Sequence, residues 1–164
     1  MVEQYIQYTE CGGLKDGNMT LKTDRNISEW RELRSQLSNY DDKNKLIETL
    51  NYFSKIPLVN YVLDFNNPDS WLTPWEIIVD DYYDDICIVI LICETLMLSN
   101  FDSDRFKLKY VQDSVDNSSF MILIVDDKDV INFSYNQIVS YNDIKNRIRT
   151  IQSYKIKNSK YIKD

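Results

Sequence analysis

Apolar residues fall at helical spacing through the first two thirds of the chain. In the last third they alternate or run unbroken. Ile27, Trp30, Leu33, Leu37 and Tyr40 recur every three or four positions, which predicts a helix of about three turns. Asn26-Ile-Ser-Glu29 reads as its capping box. Asp41–Asp42 ends that helix and opens a second. Leu46, Ile47, Leu50 and Phe53 form its apolar stripe and Pro57 stops it. Thr73-Pro74-Trp75-Glu76 places Thr at the N-cap, Pro first and Glu third, so a short helix to about Asp80 is expected. Asp84–Asp85 then opens a helix over Ile86–Leu98 that is apolar nearly all round and therefore central and buried. Its β-branched content leaves a strand reading open, although the run is long for a strand.

Before the first helix, Gln4–Thr9 alternates and predicts a short strand. The turn around Cys11-Gly12-Gly13 to Gly17 holds all the glycines, and a second short strand is expected near Met19–Lys22. Leu58–Phe65 is apolar and aromatic, and Asn66–Asp69 is a turn. Phe106–Gln112 alternates. Phe120–Val125 and Val130–Tyr135 form a hairpin about Asp126–Asp129, with its first strand buried on both faces. Tyr141–Thr150 reads as a short helix and Ile151–Lys157 as a final strand.

Helices first and an antiparallel sheet last is an α+β pattern. At 164 residues the length prior gives one domain, 1–164. It divides into an N-terminal strand and turn segment (1–25), a helical part (26–99) and a hairpin-rich part (105–164) that ends in a basic tail.

Composition sharpens this picture by exclusion. The chain has no histidine, the usual general base near neutral pH and the commonest metal ligand. It also has no alanine and few glycines or prolines, whereas Asn, Ile, Lys, Tyr and Asp abound. That skew is what an AT-rich genome produces, and a viral or phage source is expected. The three cysteines, Cys11, Cys87 and Cys93, are too few and too scattered for a zinc site, so reduced thiols in a host cytoplasm are expected. Cys87 and Cys93 read as small buried hydrophobes. Asp80, Asp81, Asp84 and Asp85 could hold a hard cation, but they lack EF-hand spacing and read as helix-end carboxylates. There is no P-loop or dinucleotide fingerprint and no span long enough to cross a bilayer. No cofactor and no membrane insertion are expected.

The net charge of −7 argues against direct nucleic-acid binding. The charge is uneven. No basic residue occurs between Lys55 and Arg105, where ten acidic ones do, while Lys145–Lys163 is basic. Trp71 and Trp75 lie in the acidic stretch and suit core or interface packing. Trp71, Trp75, Asp80, Asp81, Asp84, Asp85, Arg147, Arg149, Lys155 and Lys157 are the candidate interaction residues.

Trp71-Leu-Thr-Pro-Trp-Glu-Ile-Ile, then Asp84-Asp-Ile-Cys and the apolar helix to Leu98, resembles transglutaminase-like proteins of the papain-like cysteine-protease fold, notably small ones of phages. The order of elements matches over roughly Trp30–Tyr154. As sequence, the resemblance rests on Trp71–Leu98 and Val130–Tyr135. It implies a cysteine nucleophile opening the buried helix, a histidine near the start of a following strand, and Asp or Asn on the next strand. Here Asp84 or Asp85 stands in the nucleophile's place, with Cys87 about one turn inside the helix. The histidine's strand offers Ser119, Phe120 and Met121, and only Asn132 could fill the third position. A thiol without an imidazole to take its proton is not activated.

The sequence therefore points to a non-enzymatic viral or phage structural or accessory protein. It would act by protein–protein contact in a virion or larger assembly, on a catalytically dead transglutaminase-like scaffold. No residue is assigned a catalytic or metal-binding role. Two alternatives remain: an acidic inhibitor that mimics nucleic acid through Asp80, Asp81, Asp84, Asp85, Asp102 and Asp104, and a residual enzyme dependent on Cys11 or Cys87.

Overall fold

A computed structural model describes residues 17–58, 63–80 and 83–164. The strand expected at Gln4–Thr9 and the turn at Cys11–Gly13 lie outside the described residues.

Helix α1, Gly17–Leu37, runs through both the expected strand at Met19–Lys22 and the expected cap at Asn26. After Gly17 nothing as far as Asn26 breaks a helix, and Met, Leu, Lys and Arg are good helix formers. Asn26 is thus interior, and the Glu29 carboxylate meets Arg25 one turn back at 3.5 Å. The buried face is the expected one: Ile27, Trp30, Leu33 and Leu37.

Helix α2, Asp42–Ser54, opens on Asp41, whose carboxylate accepts the Asn44 N–H at 2.8 Å. A 3-10 turn at Pro68–Ser70 follows. Helix α3, Pro74–Asp80, begins with a reciprocal box: Thr73 N–H donates to Glu76 Oε2 at 2.7 Å, and Glu76 N–H to Thr73 Oγ1 at 3.3 Å. Helix α4, Asp85–Met97, is buried at nearly every position, so the helical reading of the apolar run holds. Its β-branched residues are poor helix formers, and tertiary burial overrides that propensity.

The last third is a six-stranded antiparallel sheet in the order β4-β3-β2-β1-β5-β6. The strands are β1 (Phe106–Asp113), β2 (Ser119–Val125), β3 (Asp129–Ser134), β4 (Gln137–Ser140), β5 (Ile148–Lys157) and β6 (Lys160–Lys163). The fold is α+β, as expected. Asp126 and Asp127 both take positive φ (53° and 55°) in the β2–β3 turn, the handedness that suits a twisted hairpin. The helix expected over Tyr141–Thr150 shrinks to one turn, α5 (Tyr141–Ile144). The chain from Ile148 extends instead, because pairing with β1 satisfies its backbone. The basic tail is therefore not a tail; it forms β5 and the edge strand β6.

Alternation splits the sheet into two apolar faces. Phe106, Leu108, Met121, Leu123, Val125, Ile131, Tyr154 and Ile156 pack under the helices. Val111, Ile122, Ile124, Val130 and Ile144 form a second cluster on the other side. Strand β2 is thus buried on both faces from Met121 to Val125, as its unbroken run predicts. Arg105 ties the two layers. Its guanidinium takes Asp126 in two hydrogen bonds of 2.8 and 2.7 Å, and Asp42 at the start of α2 at 2.8 Å.

Candidate functional site

The start of α4 meets β2 and β3. Asp84 caps the helix: its Oδ1 accepts the Cys87 N–H at 2.7 Å, and its Oδ2 accepts the Leu63 N–H at 2.7 Å. It is 4% exposed, so one carboxylate fixes the helix start and the backbone at Leu63 together. Asp85, the first helical residue, is half-buried and reaches the sheet. The Met121 N–H donates to Asp85 Oδ2 at 2.6 Å.

Asn132 completes the arrangement from β3. Its Nδ2 donates to the Met121 carbonyl at 2.7 Å. Asn132 has φ 70°, and the β3–β4 register shifts between Val130 and Ser134. A bulge with a left-handed residue aims a side chain that a regular strand would point elsewhere, and Asn tolerates that conformation better than most residues. The helix start, the middle strand and the next strand thus converge at Asp85, Met121 and Asn132. These are the three positions that the transglutaminase-like resemblance singles out, and the order of elements was legible from sequence. Tyr110 borders the site from β1, stacked on Phe65 with ring centroids 4.0 Å apart at 9°. Its place was also legible, since alternation puts it on one face with Phe106 and Leu108. The bulge at Asn132 was not, because no glycine marks it.

Burial raises the Asp85 carboxyl above the ordinary carboxylate range, and the neighbouring Asp84 charge adds to that; the Met121 N–H opposes it. Burial and the same two carboxylates also raise the Tyr110 phenol. Cys87 is fully buried, and burial pushes its thiol up to about 12. Cys93 is buried too, and burial raises its thiol well above the ordinary range. Neither is a ready thiolate, in keeping with the reading of both as buried small residues.

Among the described residues, the carboxylate oxygens at the α4 start are largely engaged. Both Asp84 oxygens and Asp85 Oδ2 already accept backbone N–H groups. Among the described residues no group of three or more Cys, Asp or Glu could hold a metal ion. No described helix is long and apolar enough to cross a membrane.

The other candidate residues scatter. Trp71 is buried, its Nε1 donating to the Asp64 carbonyl at 2.8 Å and its ring set against Tyr154 and Tyr161. Trp75 packs edge-on to Trp30, with centroids 4.8 Å apart. Arg147 pairs with Asp113 at 2.8 and 2.6 Å, and Arg149 reaches Gln112 at 2.7 Å. Lys155 meets Asp164 at 3.2 Å, and Lys157 is exposed. Asp81 and the side chain of Asp80 lie outside the described residues. Asp102 and Asp104 are exposed beyond the far end of α4 from Asp84 and Asp85, which face inward. A single phosphate-like row of carboxylates is therefore not formed among the described residues.

No family model matches the chain, and no curated protein matches it either. Solved structures do. Calcium-bound LapG of Legionella pneumophila superposes with a TM-score of 0.70 at 18% identity, covering 93% of this chain and 82% of that one. LapG of the same organism without a stated ligand gives 0.70 at 20%, covering 95% and 84%. The EGTA-treated form gives 0.68 at 20%, covering 93% and 80%. At this identity the likeness establishes the fold, which is transglutaminase-like. It also corrects the functional expectation. LapG is a calcium-dependent cysteine protease, and sharing its fold does not support a non-enzymatic viral or phage structural protein, so that expectation is withdrawn. That reading rested on the missing cysteine–histidine pair and the uneven charge, and only its viral or phage source on the compositional skew, which reports on codon usage.

Proposed function

We propose that this chain is a protease-like enzyme acting on polypeptides at the start of α4, with the Asp85 carboxyl as its acid–base group. One observation carries the reading. On a fold shared with LapG, the first residue of the buried helix faces β2 and β3, and in this chain that residue is a half-buried aspartate of raised pKa. A carboxyl of raised pKa is the stronger base and stays protonated to higher pH, so it can accept a proton and then return it where an ordinary carboxylate would hold none. In this role Asp85 takes a proton from a water that attacks the peptide carbonyl, and returns it to the leaving amine. Met121 and Asn132 hold the neighbouring strand in register with it. Asp84 is a positioning residue, since both its oxygens are spent on backbone N–H groups.

A second reading, a thiol enzyme, is favoured by the LapG likeness and by the place of Cys87 in the first turn of α4. Its burial and high pKa argue against it. Incubation with unfolded casein, read by mass spectrometry for new termini, tests both. Cleavage that Asp85→Asn abolishes and Cys87→Ser spares is the expected result. Cleavage that depends on Cys87 would select the thiol reading, and absence of any new terminus would overturn both.

A further inference from the structure

A second cavity lies well away from the α4 start. It measures about 350 Å³ and opens between the Pro68–Pro74 segment, the outer face of α4 and the turn into β6. Its walls include Trp71 and Tyr161, whose rings meet at 53° with centroids 5.4 Å apart. Each ring is held from behind. Trp71 is fixed by its Nε1 bond to the Asp64 carbonyl, and Tyr161 lies beside Cys93. Ile90 and Leu72 add apolar surface.

Glu94 also lines this cavity, one helical turn beyond Ile90. It is half-buried, yet its carboxylate has no hydrogen-bond or ion-pair partner among the described residues. Its oxygens are not sealed from solvent, since they reach the open cavity, and burial on the helix side raises its carboxyl above the ordinary range. Arg34 favours its charge from α1, but forms no ion pair with it and stacks on Trp30 at 4.5 Å instead. A negative group beside two aromatic rings in one cavity is the chemistry that receives an organic cation. Asp69 at the rim adds to the negative field, and Lys160 opposes it. With no cluster of metal-ligating side chains among the described residues, an inorganic ion has too few ligands here.

We infer that the cavity bounded by Trp71, Glu94 and Tyr161 binds an organic monocation, the alkylammonium or guanidinium head of a basic side chain. The site is independent of the Asp85 reading and stands whether or not the chain cleaves polypeptides.

The test is a titration of the intact protein with n-butylguanidinium and n-butylammonium, with n-butanol as the neutral control. The readout is the Trp71 indole N–H resonance, assigned with Trp71→Phe. Both cations should shift it saturably, leaving the Trp30 and Trp75 resonances in place, and the stronger of the two identifies an arginine-like or lysine-like ligand. Glu94→Gln should weaken binding about tenfold, and Lys160→Ala should leave it equal or tighter. A shift by n-butanol as large as by the cations would overturn the inference, and this comparison needs no variant to fold. So would Glu94→Gln binding as wild type does, or binding that appears only in Lys160→Ala, which would show Lys160 to be the native occupant.

Discussion

The Asp85 carboxylate accepts a 2.6 Å hydrogen bond from the backbone N–H of Met121, a residue 36 positions further along the chain. This bond joins the first residue of the buried helix to the doubly buried strand. Asn132 holds the carbonyl of the same residue, so the strand is gripped from both sides at the point where it faces the helix start.

Because burial raises the Asp85 carboxyl, the folded chain holds that proton to higher pH than the unfolded chain does. Its contribution to stability is complete below the ordinary Asp pKa of about 3.9 and is lost as pH rises through the raised folded value. Asp85→Asn should therefore flatten the fall in stability above that pH. Urea midpoints measured across pH 4–8 check this, and an unchanged slope in the variant would refute it.

Asp84→Ala removes an N-cap and leaves the Leu63 N–H without its acceptor. The expected loss is about 2–3 kcal/mol in chemical denaturation, beyond the ~1 kcal/mol of a cap alone. A loss no greater than an ordinary cap's would show that the Leu63 bond contributes nothing.

Cys87 and Cys93 should resist alkylation in the folded protein, since both are fully buried and burial raises both thiols. Iodoacetamide at pH 8, followed by peptide mapping, should mark them only after unfolding. Prompt labelling of Cys87 in the native state would contradict its placement and revive the thiol reading.

Arg105→Ala breaks the contact of Asp126 and Asp42 with one guanidinium. The pairs are partly solvated, so about 1 kcal/mol is the expected loss at low salt, less at high salt. Arg105 holds the Asp126 carboxyl below its usual range, so this stabilisation should be present above the ordinary Asp pKa and fade as pH falls through the lowered one. Thermal midpoints of both proteins at two salt concentrations and at acid pH measure it.

How far the sequence carried depended on whether a signal was local. The Thr73–Glu76 box and the Asp84 cap are encoded within four residues and were legible. The unbroken Phe120–Val125 run announced a strand covered on both faces. Asn26–Glu29 has the same grammar as Thr73–Glu76 but is not a cap, because the helix continues upstream of it. Strands β4 and β6 were missed because each has only four residues and forms by pairing with a longer neighbour. At the site, the helix start and the next strand were readable. The bulge that turns Asn132 toward Met121 depends on register between strands, which no window of sequence contains. The Glu94 cavity was hidden for a similar reason: its walls come from segments far apart in the chain.

Tyr154 is fully buried against Trp71, and its hydroxyl donates to the Phe65 carbonyl, yet it lies in the last strand but one. A ribosome finishes every described helix and the central hairpin before this ring is available. Until then the greasy flank of Trp71, and beside it part of α4, has no cover. The interior therefore closes only when β5 docks, and a form lacking β5 meets the cell with that surface bare. Yield from recombinant expression should depend steeply on temperature and on an intact β5, more than marginal stability of the finished fold would require.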